Sequence, residues 1–411
     1  MLYKLEDRGG PDGEGALVDR VNPEKVSLMK WSLSILLGIG LFSWPSSYGE
    51  PPKPAHFPSL VSSLRITRPL EFCDERVPIE VQEVRERLEK ELLLSLWDRP
   101  QVILWLKRSR RYLPHIEKML KESGMPDDLK YLAIAESALR PHAGSRKGAI
   151  GFWQFTKFTG QKYGLVINER IDERRSIFAS TQAAIRCFRH LRKTFGSWTL
   201  AAAAYNMGEE GLMMEILEQG TSSYYHLYLP LETQRFIFRI LSVKLILSDP
   251  ERYGFQLSEE DYYPPMKFDR IQVDCIQDTP IRVIARAAKT HFKGIKDLNP
   301  EIRGHYLSEG SHTLLIPKGA SKDFQARYQF LVNRWLTDRK ERIYVVKKGD
   351  SLSSIADRFD VPLLAIIFWN RLDPNAHIHP GDELIIYQEE PRPDETDKDE
   401  DGSEAGSSWD D

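Results

Sequence analysis

Cysteine is scarce in this chain. The 411 residues hold three, Cys73, Cys187 and Cys275, far apart and without CxxC or Cys/His spacing. A structural metal site is therefore not expected, and the odd number precludes complete pairing within the chain. Cys187 lies in the helical pattern AAIRCFRHL, where a thiol serves as a small buried hydrophobe. A long apolar run is also lacking: SLSILLGIGLFSW, after Met29-Lys30-Trp31, is ~14 residues, short of the ~20 that a membrane span needs. Neither sign of charge prevails, since the net charge is −3, and this gives no mandate for a nucleic-acid partner. Gly (26) and Pro (25) are near average usage, which excludes collagen-like or low-complexity bulk, and 41% hydrophobic residues exclude a disordered whole.

The near-neutral sum hides an asymmetry. Residues 389–411 carry eleven acids against Arg392 and Lys398, so the rest of the chain is mildly basic. A basic body suits an anionic polymer, and it is also what an ordinary soluble surface carries. The tail 388–411 cannot build a core and is expected to be disordered. At the other end, the short apolar run behind Lys30 reads as a signal peptide within 1–49. Translation is then expected to start at Met29, with cleavage after Gly49, because small residues at Ser47 and Gly49 flank Tyr48. This places the protein in the periplasm or cell envelope, with membrane association only through that segment if it stays uncleaved. No Cys stands at a lipobox position.

Pattern divides the remainder. Residues 50–76 open on EPPKPAHFPS and read as a Pro-rich linker. Over 77–250 apolar residues recur at three- and four-residue steps, with Gly124 closing one helix and Pro126-Asp127-Asp128 opening the next. One all-α domain is expected there. Two small units follow, at 268–318 and 342–387, each ordered strand, helix, helix, strand, with a helix-like spacer (KDFQARYQFLVNRWL) between them. The fold class is thus multidomain, all-α followed by small α+β units.

Chemistry centres on DLKYLAIAESALR, residues 128–140. On a helix, Leu129, Leu132, Ala133 and Glu136 share one stripe, which sets a carboxyl on an apolar face. Desolvation there raises its pKa toward neutrality, as a general acid requires. A Glu at the stripe's edge, reaching solvent, would fit the same spacing. Downstream stand GAIGFWQF (148–155), TGQKYGL (159–165) and AAYNMG (203–208).

In these motifs the chain resembles the soluble lytic transglycosylase domain of the goose-type lysozyme superfamily, in its membrane-bound murein transglycosylase D branch. The resemblance covers about 77–250, including RSRRYLPHIEKML and IDERRSIFASTQAA. It implies a lysozyme-like all-α fold in which Glu136 is the lone catalytic acid/base. Ser137 would help orient Glu136, Gly151 would allow close approach of the glycan, and the Gln154 amide would bond substrate. Tyr205 and Asn206 would line the cleft. Phe152, Trp153 and Phe155 are assigned to core packing. The implied reaction cleaves the bond between N-acetylmuramic acid and N-acetylglucosamine in peptidoglycan strands, leaving 1,6-anhydromuramyl ends without metal or cofactor. Spacing alone leaves a hydrolytic muramidase open, with Asp127, Asp128 or Asp172 as second carboxylate, and so does a non-catalytic wall-binding protein. One motif departs: Leu231-Glu232-Thr233-Gln234-Arg235 ends in Phe236, where the family carries Tyr. That removes a hydroxyl expected near the catalytic carboxyl, and Tyr224, Tyr225 and Tyr228 are nearby candidates to replace it.

The stretch IYVVKKGDSLSSIADRFDVP, continued by WNRLDPNAHIHPGDELIIY, resembles a LysM module over nearly all of 342–387. The resemblance implies a shallow groove for N-acetylglucosamine-containing glycan between Gly349, Asp350, Ser351 and Leu352 on one side and Ile378, His379, Pro380 and Gly381 on the other. Leu352, Ile355, Ala356 and Phe359 also have core spacing. His379 is a poor metal ligand, with His377 its only near partner. The unit at 268–318 reads as a degenerate repeat, with Asp274-Cys275-Ile276-Gln277 in place of the Gly-Asp turn, structural before sugar-binding.

Overall fold

The computed structural model describes residues 58–340, 343–373 and 377–387. Residues 1–49, expected as a signal segment, the start of the Pro-rich linker at 50–57 and the acidic tail 388–411 lie outside the described residues. Among those described, no helix is long and apolar enough to cross a membrane.

The first body is helical: α1 (Leu60–Ser63), α2 (Gln82–Trp97), α3 (Arg99–Glu122), α4 (Lys130–Ser137), α5 (Lys157–Lys162), α6 (Ile177–Phe195), α7 (Trp198–Met207), α8 (Glu209–Gln219) and α9 (Leu231–Ser248). α9 is the hub, packing on α2, α4 and α7. Its sequence LETQRFIFRILSVKLILS is apolar on most sides, as a helix surrounded by others must be. α3 runs unbroken through Pro114, where the sequence suggests a helix start. Proline there removes one backbone hydrogen bond, a cost of ~3 kcal/mol. The buried stripe Val102, Trp105, Leu106, Leu113, Ile116 and Leu120 offsets it.

The linker expectation for 50–76 needs correction over 70–76. Strands β1 (Glu71–Phe72) and β2 (Glu75–Arg76) form a hairpin whose Leu70, Phe72 and Cys73 are buried in the main core. The turn uses Cys73 and Asp74, both with positive φ, so no glycine marks it. The hairpin clamps the fold. Trp198 N donates to Glu75 Oε1 at 2.7 Å, which sets a carboxylate at the N-terminus of α7, and Cys73 N donates to Asp128 Oδ2 at 2.8 Å. The core also extends beyond 250, to Tyr253 and Phe255.

Two α+β units follow. The first comprises β3 (Phe268–Cys275), β4 (Thr279–Pro280), α10 (Ile281–Ala287), α11 (Phe292–Leu298), β5 (Tyr306–Leu307) and β6 (Gly310–Pro317). α12 (Phe324–Lys340), expected as a spacer, instead lays Phe324, Tyr328, Val332 and Trp335 into this unit's core. The second comprises β7 (Ile343–Val345), α13 (Leu352–Phe359), α14 (Leu363–Asn370) and β8 (Glu383–Ile385), around Val346, Ile355, Ala356, Ile366, Leu384 and Ile386. In each unit the outer strands pair antiparallel, β3 with β6 and β7 with β8.

One asparagine shows the two units to be the same design. Asn299 Nδ2 donates to Ile295 O and Leu315 O while its Oδ1 accepts from Leu315 N. Asn370 makes the same three bonds, to Ile366 O, Ile385 O and Ile385 N. Each amide ties the end of the second helix to the last strand. The first unit is also docked on the helical body: Asp172 N donates to Glu301 O and Arg303 N to Arg170 O, both at 2.8 Å, around an Ile171–Ile302 bridge.

Candidate active site

α4 is only two turns long, and Glu136 stands in its last turn. Ala138 and Leu139 both adopt left-handed backbone, φ 53° and 56°, and end the helix at once. Such residues cost of order 1–3 kcal/mol each and persist where surroundings hold them. Here Arg108 Nη1 donates to Ala138 O at 3.2 Å and Arg140 Nε to Ser137 O at 3.1 Å. The half-buried carboxyl of Glu136 thus lies near the negative end of its own helix, which disfavours the anion.

Burial pushes the Glu136 pKa up to about 8, against the attraction of Arg239 and with help from the negative charge of Glu232. Among the described residues no hydrogen bond to the carboxyl opposes it. Glu232, Phe236 and Arg239 follow at 0, 4 and 7 along α9, so they share one stripe, turned to Glu136. Phe236 is buried between the two charged residues, an apolar ring where the family's Tyr would bring a hydroxyl. None of the three expected substitutes replaces it evidently. Tyr224 Oη donates to α9 carbonyls of Thr233 and Gln234, the Tyr225 hydroxyl is buried without a partner, and Tyr228 is 81% exposed.

Sequence did not single out Arg239, nor what holds it. Glu91 of α2, 3% exposed, accepts from Arg235 Nε at 2.5 Å and lies 4.0 Å from Arg239 Nε. Arg239 is thus shared between a buried partner and the Glu136 carboxyl. The i, i+4 spacing of the two arginines is the only signal the chain offers.

The motif residues stand around Glu136 with work of their own. Ser137 is 2% exposed, and its Oγ bonds Ala133 O at 2.9 Å and Phe152 O at 2.8 Å. It is a strut between α4 and the loop 143–155, without access to a ligand. Gly151 has φ +86°, and a Cβ there would lie 1.8 Å from Arg174 O. The close approach it permits is therefore that of a neighbouring backbone, not of a glycan. Gln154 donates Nε2 to Ala143 O at 3.1 Å and Gly151 O at 2.9 Å. Both partners are carbonyls, which fixes the amide orientation and leaves Oε1 as the atom for a ligand. Tyr205 Oη donates to Trp153 O at 2.5 Å, and its ring stacks on Phe188 at 4.8 Å. Asn206 Oδ1 accepts from Thr233 Oγ1 at 2.9 Å, which occupies the acceptor end of its amide. Phe152, Trp153 and Phe155 are core residues.

Other carboxylates near in sequence are committed. Asp172 and Arg174 form a buried two-pronged pair, both bonds 2.8 Å, which holds the Asp172 pKa below the usual range despite its burial. Asp128 accepts from Lys244 at 2.7 Å, and Asp127 from Lys130 at 2.6 Å. The acid that faces Glu136 is Glu232, exposed and 3.8 Å from Lys147.

In the last unit, Asp350 turns inward, accepting from Tyr344 Oη at 2.6 Å, Lys347 N at 2.8 Å and Arg358 Nη2 at 3.0 Å. Ser351 caps α13 in a capping box with Ser354, and Leu352 packs on the core. These three side chains shape their wall of the groove, so a ligand meets mainly its backbone, with Gly349 at φ +94° completing the turn. On the other wall Ile378 packs on the core, whereas His379, Pro380 and Gly381 are exposed. There His379 N donates to Asp382 Oδ2 at 2.7 Å, and Gly381 N to Val346 O at 2.8 Å.

Comparison with known proteins fits these placements. Residues 114–227 match the family model of the transglycosylase SLT domain, and 344–386 that of the LysM domain. The first span holds Glu136, Ser137, Gly151, Gln154, Tyr205 and Asn206 but not the α9 stripe. Two relatives, each called membrane-bound lytic murein transglycosylase D, come from Escherichia coli strains K12 and O6:H1. Each is 33% identical over 294 residues, 68% of this chain and 64% of the relative, so the chain spans just under two thirds of their length.

Proposed function

With an SLT-type helical domain and a LysM domain as premises, we propose that this protein is a peptidoglycan lytic transglycosylase of the cell envelope. The observation that carries the reading is Glu136, a half-buried carboxyl held largely protonated at neutral pH, while Asp127, Asp128 and Asp172, the acids near it in sequence, are paired with cations. A general acid must carry its proton at working pH and lose it to a leaving oxygen. Glu136 gives its proton to the glycosidic oxygen between N-acetylmuramic acid and N-acetylglucosamine. The substrate's N-acetyl oxygen stabilises the positive charge developing at C1. Carboxylate Glu136 then takes the proton of the muramyl C6 hydroxyl, whose oxygen bonds to C1. One glycosidic bond breaks, one anhydro bond forms, and Glu136 ends protonated, ready for the next strand. No water is consumed, and no residue here calls for a metal or cofactor. Gln154 Oε1 and the Asn206 amide are the groups left to hold the strand, and the LysM groove keeps the enzyme on it.

Digestion of purified sacculi, followed by mass spectrometry of the released muropeptides, tests the proposal. Anhydromuramyl ends that vanish with Glu136→Gln are expected. Reducing ends would instead show a muramidase, for which Glu232, facing Glu136, is the second carboxylate. No soluble product would leave a wall-binding protein. The N-terminal segment, ending after Gly49, would deliver the enzyme to the envelope.

A further inference from the structure

The two α+β units share one design but differ where the LysM groove should be. Ile281, Ile284, Ala285 and Ala288 are buried at the spacing of Leu352, Ile355, Ala356 and Phe359, and Gly310 takes the positive-φ place of Gly381. In this register the wall Gly349–Leu352 corresponds to Asp278–Ile281, and the wall Ile378–Gly381 to Leu307–Gly310. Asp278, not the Asp274–Gln277 stretch, thus stands in the place of Gly349. In the first unit these walls are bonded to each other. β4 pairs with β5, Thr279 with Leu307 and Pro280 with Tyr306, while Ile281 N donates to His305 O and Glu309 N to Asp278 Oδ1. Thr279 and Leu307 are buried by this pairing. No such ladder joins the walls of the LysM unit among the described residues. The first unit's own groove is zipped shut.

Its outer face is put to another use. Asp278 accepts from Arg170 of the helical body at 2.6 Å and from Arg371 of the LysM unit at 2.5 Å, and the Arg371 guanidinium lies 4.1 Å over the Tyr306 ring. Phe368 meets the His305 ring edge-on at 5.5 Å. Between these contacts a cleft of 660 Å³ remains, lined by Tyr306 and Glu309 from the first unit and by Trp369, His377, Ile378 and Tyr387 from the second. That volume is within the range of about 300–1,000 Å³ typical of ligand clefts. Ile378 lines this cleft and also belongs to one wall of the LysM groove, so the two adjoin at that residue.

We propose that the seam between the two units is a saccharide-binding cleft that lengthens the LysM groove, with the zipped walls of the first unit as its far side. The chemistry fits an N-acetylhexosamine chain. A pyranose offers an apolar C–H face to a ring such as Trp369, held edge-on by Tyr387 at 5.2 Å, and a belt of hydroxyls that donate to carboxylates such as Glu309. Asp278 is neutralised by its two arginines, so the exposed Glu309 carboxylate remains for the sugar on that side. The inference rests on the proposed wall-glycan reading and extends it from one unit to two.

Full-length protein carrying Glu136→Gln, titrated calorimetrically with N-acetylglucosamine trimer and hexamer, tests the cleft. The trimer is covered by the LysM groove alone, whereas the hexamer reaches the seam. Glu309→Arg, on an exposed side chain of the first unit, should weaken hexamer binding about tenfold and leave the trimer unchanged, the loss expected for one hydrogen bond to a charged acceptor. Trp369→Ala should do the same if its unit stays folded, and Glu309→Arg decides if it does not. Equal hexamer affinity with and without Glu309→Arg, or trimer and hexamer falling in parallel, overturns the proposal. Digestion of sacculi by the unsubstituted protein, with Glu136 and Glu309 both intact, separates the two readings. Anhydromuramyl products with unchanged hexamer binding sink the seam cleft alone, and absent products sink the enzymatic reading.

Discussion

Replacing Glu136 by Gln should abolish turnover and stabilise the helical domain in the same stroke. The carboxyl titrates at about 8 in the folded protein against an ordinary 4.5. Between those values the unfolded chain gives up this proton and the folded chain keeps it. The folded state then binds more protons, so stability falls as pH rises through this window and levels off above about 8. At pH 7 the full displacement is worth at most about 3 kcal/mol, and water reaching the half-buried side chain reduces it to about 1–2 kcal/mol. Gln has nothing to ionise and escapes that penalty, although its amide keeps a constant cost of burial. Urea unfolding followed by helical circular dichroism at pH 4, 6, 7 and 8.5 provides the measure. The advantage of Glu136→Gln over the parent should be absent at pH 4 and grow steadily to pH 8.5. An offset that is the same at every pH would refute the reasoning, because it would mean that the carboxyl is not desolvated in the fold.

The same electrostatics governs the rate. The alkaline limb of kcat/KM should fall near pH 8, where Glu136 loses its proton; Glu232→Gln should move it to lower pH and Arg239→Gln to higher, and a profile blind to both would detach α9 from the catalytic group. Phe236→Tyr offers a hydroxyl donor on the stripe between them, which favours the anion and should also lower that limb; identical profiles would show that the hydroxyl does not reach Glu136. Gly151→Ala places a methyl against the Arg174 carbonyl at a positive φ and should cost ~3 kcal/mol or more in urea unfolding, whereas a folded variant altered only in KM would return Gly151 to the glycan.

Much of this organisation is legible in the chain. Glu136 could be singled out because its place on an apolar stripe, which a solvent-reaching Glu at the edge would also fit, is joined by the motifs at 148–155, 159–165 and 203–208. The order of helices and of the two α+β units follows from periodicity alone. The hairpin at 71–76 was hidden because its turn is made by Cys73 and Asp74, residues that carry no turn signal when the Asp side chain is not followed by Gly. α3 hid its continuity behind Pro114, since local propensity is overridden by a buried stripe on both sides of it. The pairing of Glu91 with Arg235 and Arg239 spans 144 residues for its shortest bond, a separation at which one sequence holds no pairing information.

The motif residues show a subtler gap between sequence and site. The resemblance implies that Ser137 orients Glu136, that the Gln154 amide bonds substrate and that Tyr205 lines the cleft. In the fold each donates to a backbone carbonyl of a single loop: Ser137 to Phe152, Gln154 to Ala143 and Gly151, Tyr205 to Trp153. Gly151 lets that loop rest on the Arg174 carbonyl, and the Arg174 guanidinium in turn donates to Gly148 O in its middle and Phe155 O at its end. Five residues scattered over about 70 positions thus fix one irregular segment whose carbonyls would otherwise be buried without partners. The arrangement suits the proposed reading, an enzyme with one catalytic group. A single carboxyl that must protonate one oxygen and then deprotonate another would depend on where the strand lies, and a loop held at the carbonyls of Ala143, Gly148, Gly151, Phe152, Trp153 and Phe155 keeps its place without reorganising. The motif is therefore chiefly a specification of the cleft wall, and Glu136 is the one member whose chemistry, rather than its bonding, is what the position demands.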